Sequence, residues 1–384
     1  MSDYSVIIIG GGASGLFLHS LLPSALLIEK NSVCGIKLLL TGNGSCNITH
    51  DEERSSFVTH YYGKKAFVTP SIYAFPPTAL RDYFSSLGVE TYVRSDGKVF
   101  PVTERSSTIR DALLRSGSNI LSEAEVKRTM KEGETFTIET TKGIFTSRFL
   151  VIATGGMTYP GTGSTGDGYA FSRSFGHTII TPRPALSSLS ISLDTSAVEG
   201  VSVEEVTLSL GKKKTTGPVV FTRHGIGGPA AQNISHWITG DTELRISFLP
   251  SFVSSSVKEE NGKTGIITTL RRLTSLPHSL LLFLFDDIKD KNTASITKEE
   301  LRAIEERLTH LKVRASTDGI KKAMVTSGGV DTSEVDAKTM ESKKTGGLYF
   351  TGEVLDVDGE CGGYNLSFAF ASAFLAGEDI RKKI

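Results

Sequence analysis

Cysteine is scarce in this chain of 384 residues, which holds Cys34, Cys46 and Cys361 and no C-x-x-C pair. A small secreted domain that depends on disulfides carries several paired cysteines. The composition therefore excludes a disulfide framework and indicates a reducing compartment.

The chain also lacks an excess of either charge and any long apolar run. Its 42 Lys and Arg residues balance 42 Asp and Glu residues, so no global field draws it to nucleic acid or to an anionic membrane. The most apolar internal run, 280–285, is far shorter than the roughly 20 residues that span a bilayer. The first residues show no basic segment followed by a cleavable apolar stretch. We therefore expect a cytoplasmic protein with no membrane partner.

Metal-binding patterns are missing as well. The eight histidines are scattered, and no pair has metal-ligand spacing on a recognisable helix. Asp356, Asp358 and Glu360 alternate as in a calcium loop, but Cys361 and Ser367 stand where that loop needs Gly and Glu. The sequence predicts no metal site.

Glycine, in contrast, is abundant, and the most informative cluster opens the chain. An apolar run at 6–9 leads into Gly10-Gly11-Gly12-Ala13-Ser14-Gly15 and an apolar helical pattern over 16–22. In a strand–turn–helix of this type the first glycine allows the turn, the second lets the backbone approach a pyrophosphate, and the third lets the helix pack on the strand. A second apolar run, 25–28, ends in Glu29, where an acid that binds a ribose belongs. The pattern predicts an adenine dinucleotide site.

Three further glycine loops are less specific. Gly42 and Gly44 could turn the chain over a flat or anionic ligand, or form a surface turn. The loop 161–166 fits G-x-G-x-x-G but is separated from its strand, and the loop 225–230 has no acid at the expected distance. We expect neither to bind a second dinucleotide, although either could hold an anionic group at a helix N-terminus.

The hydrophobic periodicity changes along the chain and predicts its organisation. Strand-like pieces at 120–129, 135–140 and 144–146 form a predicted β-meander that leads into a buried strand at 149–153. Period-2 alternation over 186–248 predicts a small antiparallel barrel, with a hairpin tip at Lys212-Lys213-Lys214. Residues 251–310 are predicted to be helical and include a capping box at Thr297 and Glu300. The final segment is predicted to return to the first domain.

The motifs together resemble one family. These are G-G-G-A-S-G, T-G-N-G-S-C-N, A-T-G-G with T-G-S-T-G-D-G-Y, T-S-G-G-V, T-M-E-S-K and G-E-V-L-D-V-D-G-x-C-G-G-Y-N. They resemble the BaiN-like (YhiN-like) NAD(P)/FAD-dependent oxidoreductases over essentially the whole chain. The resemblance implies an α/β fold: a discontinuous FAD-binding Rossmann-type domain (1–180 and 334–384), an inserted β-barrel-like domain (181–250 and 311–333) and a nested α-helical insertion (251–310).

The resemblance also implies which residues bind FAD. The expected cofactor-binding residues are Gly10, Gly12, Ser14, Gly15, Glu29, Lys30, Lys37, Thr41, Asn43, Gly44, Cys46, Asn47, Val126, Thr154, Gly155, Gly352, Glu353, Gly363, Tyr364, Asn365 and Leu366. Two positions depart from the family pattern: Ser45 stands where the family usually has Arg, and Ile36 where it usually has a basic residue.

The function implied by the resemblance is reduction of a polarised C=C bond with electrons from NAD(P)H as a transient donor. The implied substrates are an enone-like small molecule or uridine in ribosomal RNA. Either reaction needs a proton donor, for which Cys46 and Tyr364 are candidates. Because Cys34 has no cysteine partner nearby in the sequence, a disulfide reductase is disfavoured. An alternative is an RNA-binding flavoprotein with mainly structural FAD, whose contacts would include Lys212–Lys214 and Arg271-Arg272.

Overall fold

The computed structural model describes residues 2–384 and divides the chain into two compact units. Unit 1 comprises the chain up to Arg183 together with Met324–Ile384, and unit 2 comprises Pro184–Ala323. Within the described residues, no helix is both long enough and apolar enough to cross a membrane.

Unit 1 mixes strands and helices, and unit 2 consists of a barrel and a helical segment. The strands are β1 (Ser2–Ile9), β2 (Leu26–Ile28), β3 (Thr49–His50), β4 (Thr91–Val93), β5 (Lys98–Pro101), β6 (Ile120–Leu121), β7 (Val126–Glu132), β8 (Thr135–Thr140), β9 (Gly143–Ile152), β10 (Ile179–Ala185), β11 (Leu189–Ile191), β12 (Ser202–Leu210), β13 (Lys213–Thr222), β14 (Gly225–Gly227), β15 (Thr242–Ser247), β16 (Leu311–Thr317), β17 (Val325–Val330) and β18 (Leu348–Phe350). The helices are α1 (Ala13–Leu21), α2 (Ile36–Leu40), α3 (Arg54–Phe57), α4 (Lys65–Ala74), α5 (Pro77–Ser86), α6 (Ser106–Arg115), α7 (Asp167–Ser174), α8 (Pro229–Ser235), α9 (Ser255–Lys258), α10 (Ile266–Thr274), α11 (His278–Leu284), α12 (Lys298–Thr309) and α13 (Tyr364–Lys383).

The main sheet of unit 1 has the strand order β6-β2-β1-β9-β8-β7, and β18 also pairs with β9. β1 lies parallel to β2 on one side and to β9 on the other. Its residues 6–9 are buried, as expected for a parallel strand covered on both faces. The sequence predicted two separate strands where β9 is continuous. The difference arises because the first half of β9 pairs with β8 and the second half with β18.

The two ends of the chain meet in unit 1. β18 runs parallel to β9, with Leu348 opposite Leu150 and Phe350 opposite Ile152. α13 packs against α1, where the rings of Phe17 and Phe370 lie 5.2 Å apart. The predicted return of the tail to the opening domain is confirmed.

Unit 2 is a closed barrel with helices inserted between its strands along the chain. The strand order is β11-β14-β13-β12-β15-β16, and α9 to α12 lie between β15 and β16 in sequence. Barrel and helices share one apolar core, which includes Val206, Leu244, Leu270 and Ile304. The predicted barrel and helical segment are both present.

Two sequence expectations on unit 2 differ from the structure. Residues 225–227 are strand β14 rather than a glycine loop, because they pair with β11 and β13. Residues 324–333, expected in the barrel domain, belong to unit 1. There β17 pairs with β10, and a Cβ on Gly328 would lie 2.6 Å from the carbonyl oxygen of Thr181.

Candidate functional site

A cavity of about 1290 Å³, its open mouth included, lies in unit 1 at the carboxyl ends of β1 and β2. Open α/β sheets bind ligands at this edge. The cavity wall includes thirteen of the expected cofactor residues: Gly10, Gly12, Ser14, Glu29, Lys30, Lys37, Thr41, Val126, Thr154, Gly155, Glu353, Asn365 and Leu366.

The opening glycine loop is shaped by close backbone contacts. Gly10 has φ +106°, and a Cβ there would lie 2.6 Å from the carbonyl oxygen of Ala153. A Cβ on Gly15 would lie 1.9 Å from the carbonyl oxygen of Gly10. A Cβ on Gly12 meets no protein atom within 4 Å, although Gly12 lines the cavity. α1 begins after Gly12 without a side-chain cap, so its amide groups are available to an anion in the cavity.

Glu29 lies at the end of β2 beside this loop and is only 8% exposed. Its Oε2 accepts a hydrogen bond from the Gly11 amide (2.7 Å) and its Oε1 from the Asn31 amide (2.8 Å). Each carboxylate oxygen has further lone pairs, so both can also accept from ribose hydroxyls. Burial, with Glu29 nearby, raises the pKa of the Cys34 thiol to about 12, which keeps that thiol protonated.

A second carboxylate, Glu353, joins four distant segments at the cavity wall. Its Oε2 lies 2.7 Å from Lys37 Nζ, while its Oε1 accepts from the Thr326 amide (2.8 Å) and contacts Thr158 Oγ1 (3.2 Å). Lys37 Nζ also donates to Thr158 Oγ1 (2.7 Å). The network holds one cation and one anion at fixed positions beside the ligand space.

The tail supplies the opposite part of the wall. Asn365 is fixed by a pair of hydrogen bonds with the backbone of Gly359, both 2.9 Å long. α13 follows Gly363 without a side-chain cap, so its first amides are also available to an electron-rich group. Thr154 lines the wall, but its Oγ1 is buried without a hydrogen-bond partner and lies against Gly168 of α7, so this oxygen faces the protein and not the cavity.

The remaining expected cofactor residues do not line the cavity: Gly15, Asn43, Gly44, Cys46, Asn47, Gly352, Gly363 and Tyr364. Gly352 and Gly363 among them allow close packing. A Cβ on Gly352 would lie 2.7 Å from Ser14 Oγ, and one on Gly363 would lie 2.7 Å from the carbonyl group of Thr49. Direct cofactor contact by these eight residues stays a prediction.

The two candidate proton donors have different surroundings. Cys46 is fully buried, and burial raises the pKa of its thiol to about 12. The Tyr364 hydroxyl donates to Glu52 Oε1 (2.8 Å), and its ring stacks on His60 at 4.3 Å. Burial and the Glu52 carboxylate raise the pKa of Tyr364, so this hydroxyl also stays protonated. His60 in turn contacts Glu52 (3.2 Å) and Glu360 (2.8 Å).

The structure adds wall residues that sequence reasoning missed. Ala124 and Glu125 precede β7, Met324 and Val325 come from the start of the returning segment, and Thr162, Gly163, Ser164 and Asp167 come from the second glycine loop and α7. The signal for the last group was the G-x-G-x-x-G pattern at 161–166. Its distance from the strand concealed that it faces the same cavity as the first loop.

The basic residues of the alternative RNA-binding hypothesis lie in unit 2. The predicted β12–β13 hairpin is present, but its turn is at Gly211 and Lys212, while Lys213 and Lys214 pair within β13. Lys213 Nζ lies 5.1 Å from the Trp237 ring centre. Arg271 and Arg272 occupy the last turn of α10, where Arg272 pairs with Glu260. Among residues 2–384, no cluster of His, Cys, Asp and Glu is arranged to hold a metal ion.

Comparison with known proteins agrees with this geometry. A ribosomal RNA dihydrouridine synthase of Haemophilus influenzae is 30% identical over 407 residues, covering 100% of this chain and 100% of that protein. A 3-dehydro-bile acid delta(4,6)-reductase of Clostridium scindens is 31% identical and covers 96% of this chain and 97% of that protein. The structure of 3-ketosteroid delta1-dehydrogenase from Sterolibacterium denitrificans matches with a TM-score of 0.56 at 10% identity over the full length of both chains, which shows a shared fold.

The family model that matches covers nearly the whole chain. It is described as the HI0933-like protein Rossmann domain, and it matches residues 4–379. The resemblance to the BaiN-like (YhiN-like) proteins is thereby confirmed. The chain belongs to the HI0933-like family of flavin-dependent oxidoreductases with an FAD-binding Rossmann domain.

Proposed function

We propose that this protein reduces a carbon–carbon double bond conjugated to a carbonyl group, with FAD as cofactor and NAD(P)H as electron donor. The names of two full-length relatives support this reaction class. Dihydrouridine is uridine with its C5–C6 double bond saturated, and a delta(4,6)-reductase saturates double bonds conjugated to the 3-oxo group of its substrate. The shared chemistry is addition of a hydride and a proton across a polarised C=C.

The observation that carries the proposal is the wall of the unit 1 cavity, to which both ends of the chain contribute. We propose that the amides at the start of α1 hold the diphosphate, Glu29 accepts from the ribose, and Glu353 with Asn365 orients the flavin half. Bound FAD would supply a redox centre that accepts a hydride from the donor and passes it to the substrate. Lys37, fixed between Glu353 and Thr158, would place a positive charge in the same wall.

The proton is proposed to come from Tyr364 rather than Cys46. The Tyr364 hydroxyl is hydrogen-bonded to Glu52, and Glu52 contacts the partly exposed His60. This chain of groups can return a proton from solvent to the Tyr364 oxygen. Cys46 is completely buried, and its thiol pairs with the Thr41 side chain and not with a titratable group.

Anaerobic titration of the purified flavoprotein tests the electron donor. Addition of NADH or NADPH is expected to bleach the visible absorbance of oxidised flavin. If neither bleaches it, NAD(P)H is excluded as donor while the FAD site stands.

Mass spectrometry of ribosomal RNA nucleosides from cells with and without this gene tests the substrate. Loss of one dihydrouridine would establish uridine in RNA as the substrate. Unchanged nucleosides, with turnover of a 3-oxo-4-ene steroid by the reduced enzyme, would establish the small-molecule class. RNA binding without turnover of either would favour the alternative, a flavoprotein that binds RNA.

A further inference from the structure

The second glycine loop, residues 161–166, forms part of the wall of the FAD cavity. Thr162, Gly163 and Ser164 line it, as does Asp167, the first residue of α7. The loop begins within a short 3-10 turn over Pro160–Thr162 and ends at Gly166, directly before α7. It therefore faces the same space as the opening loop although it is some 150 positions away in the sequence.

Lys30 and Asn31, which follow Glu29, hold this loop in place through side-chain contacts. Lys30 Nζ lies 2.6 Å from Asp167 Oδ2 and 2.6 Å from Thr165 Oγ1. Asn31 Nδ2 donates to the carbonyl oxygen of Thr162 over 3.1 Å. The contacts join the end of β2 to both ends of the loop.

The loop backbone is adapted to these contacts. Gly163 has φ +94° and Gly166 has φ +84°, backbone conformations that residues other than glycine rarely adopt. A Cβ on Gly163 would lie 2.5 Å from Asn31 Nδ2, so only glycine lets the Asn31 amide approach. Gly163 thus serves a contact with the segment that follows β2, whereas Gly166 packs on Met157 and Tyr169.

The position of Glu29 identifies which end of the cavity is involved. An acid at the end of the second strand of a dinucleotide-binding unit hydrogen-bonds the adenosine ribose. Lys30 and Asn31 come directly after it, and both line the cavity. Ala124, Val126 and Phe171 add apolar surface to the same wall, which suits a flat base.

We infer that residues 161–166 act as a clasp over the adenosine end of the FAD site, and that the Lys30–Asp167 ion pair holds the clasp closed. The inference rests on FAD as the cofactor and is independent of the substrate and the electron donor. Lys30 and Asp167 are then positioning residues that govern how fast FAD leaves the protein.

A direct contact between Lys30 and the cofactor makes the opposite prediction for Asp167. If Lys30 held the cofactor itself, removing Asp167 would free its charge and slow FAD release. If the ion pair holds the clasp, removing either partner opens the loop and speeds release. In that case the double variant behaves like each single variant, because both changes break the same interaction.

The test is the FAD dissociation rate of the holoprotein, followed as capture of the released FAD by excess apo-glucose oxidase, without nicotinamide or a substrate of this protein. Lys30→Met, Asp167→Asn and the double variant are each expected to release FAD about threefold to fivefold faster, the size expected for a partly exposed ion pair. Lys289→Met, which removes an exposed ion pair with Asp286 in unit 2 and touches no residue of the cavity wall, is the matched control and should release FAD at the wild-type rate.

Two further measurements separate the outcomes. Raising the salt concentration should speed release from the wild type and change the Lys30→Met rate much less, because salt screens the pair. Exchanging the charges, Lys30→Asp with Asp167→Lys, should restore slow release.

Slower release from Asp167→Asn, or wild-type rates in both single variants, would overturn the clasp, whereas a failed turnover assay would affect only the proposed function.

Discussion

Gly10, Gly12 and Gly15 are spaced as one motif, but each lacks a side chain for a different reason. Gly10 and Gly15 leave room for the protein's own backbone, with carbonyl oxygens 2.6 and 1.9 Å from the Cβ positions. At Gly12 no part of the protein occupies the space of a side chain, since no protein atom lies within 4 Å of its Cβ position. We therefore propose that Gly10 and Gly15 serve the stability of the loop and that Gly12 serves cofactor binding.

Gly12→Leu is expected to fold normally and to lose FAD affinity by about tenfold to a hundredfold, because the side chain overfills the cavity. Flavin content after purification and the thermal midpoint of the apoprotein check the two parts. Gly346→Leu is the matched control, because Gly346 is exposed and its Cβ position is also free of neighbours. A Gly12→Leu protein that retains full flavin would contradict the site.

His60 gives a pH dependence to the link between residues 50–62 and the tail. Its hydrogen bond with Glu360 and the nearby Glu52 raise the pKa of His60 in the folded state above 6.5. A raised folded-state pKa adds stability that is complete below the unfolded pKa and is lost as the pH rises through the folded one. The extra stability is thus present at pH 6 and absent in alkaline solution.

His60→Gln is therefore expected to lower the thermal midpoint at pH 6 and to change it much less at pH 9. Thermal unfolding of wild type and variant at both values provides the measurement. His278→Gln, at an exposed position on α11, is the control and should show no such difference. An equal loss at both pH values would mean that His60 acts through packing on Tyr364 alone.

From the sequence alone, the role of a single residue could be predicted only where a local pattern of fixed spacing determines that role. The opening glycines and Glu29 were found because strand, turn and acid follow at fixed spacing. The Glu353 network could not be found, since Lys37, Thr158 and Thr326 meet it only through tertiary folding. The Tyr364 hydroxyl likewise bonds Glu52, a residue 312 positions away.

At the scale of elements, strand β14 shows how a glycine pattern can mislead. Gly225-Ile226-Gly227-Gly228 resembles a turn before a helix, yet residues 225–227 pair with β11 and β13. A Cβ on Gly225 would lie 1.9 Å from the carbonyl oxygen of Leu189. Glycine is required there by a close approach of neighbouring strands, a cause that no local pattern reveals. The capping box at Thr297 and Glu300, by contrast, is wholly local and is confirmed.

Gly225→Ala is expected to lower the free energy of unfolding of unit 2 by about 1–3 kcal/mol, because the added methyl group forces β11 and β14 apart. Gly227→Ala is the matched control two residues along the same strand. Its Cβ would first meet Ser188 Oγ at 3.3 Å, a flexible side chain that can move. Chemical denaturation of both variants checks the difference, and equal effects would contradict the explanation.

At the scale of the whole molecule, one continuous segment carries its own core while the other unit needs both ends of the chain. Unit 2 comprises Pro184–Ala323 and has a separate apolar cluster. Unit 1 takes β18 and α13 from the tail and places β18 in the sheet beside β9. Periodicity could predict this division approximately, but the exact boundary at 324 depends on the pairing of β17 with β10.

A fragment of residues 184–323 is expected to fold alone and to bind no flavin. A chain truncated after residue 347 should fail to retain FAD, because it loses β18, Glu353 and α13. Circular dichroism with cooperative thermal unfolding tests the fragment, and flavin content tests the truncation. Tight FAD binding by the truncated chain would show that the tail is dispensable for the site.

The separation of the two halves of the site also has a consequence for biosynthesis. Glu29 and Leu348 are 319 positions apart, so at roughly 5–20 residues per second a ribosome needs roughly 15 to 60 s to make the second half after the first. During that interval the nascent opening strands lack β18 as a neighbour, and the intervening barrel has time to form. We therefore expect the coenzyme to bind only after translation is complete, and a prematurely terminated product to remain colourless.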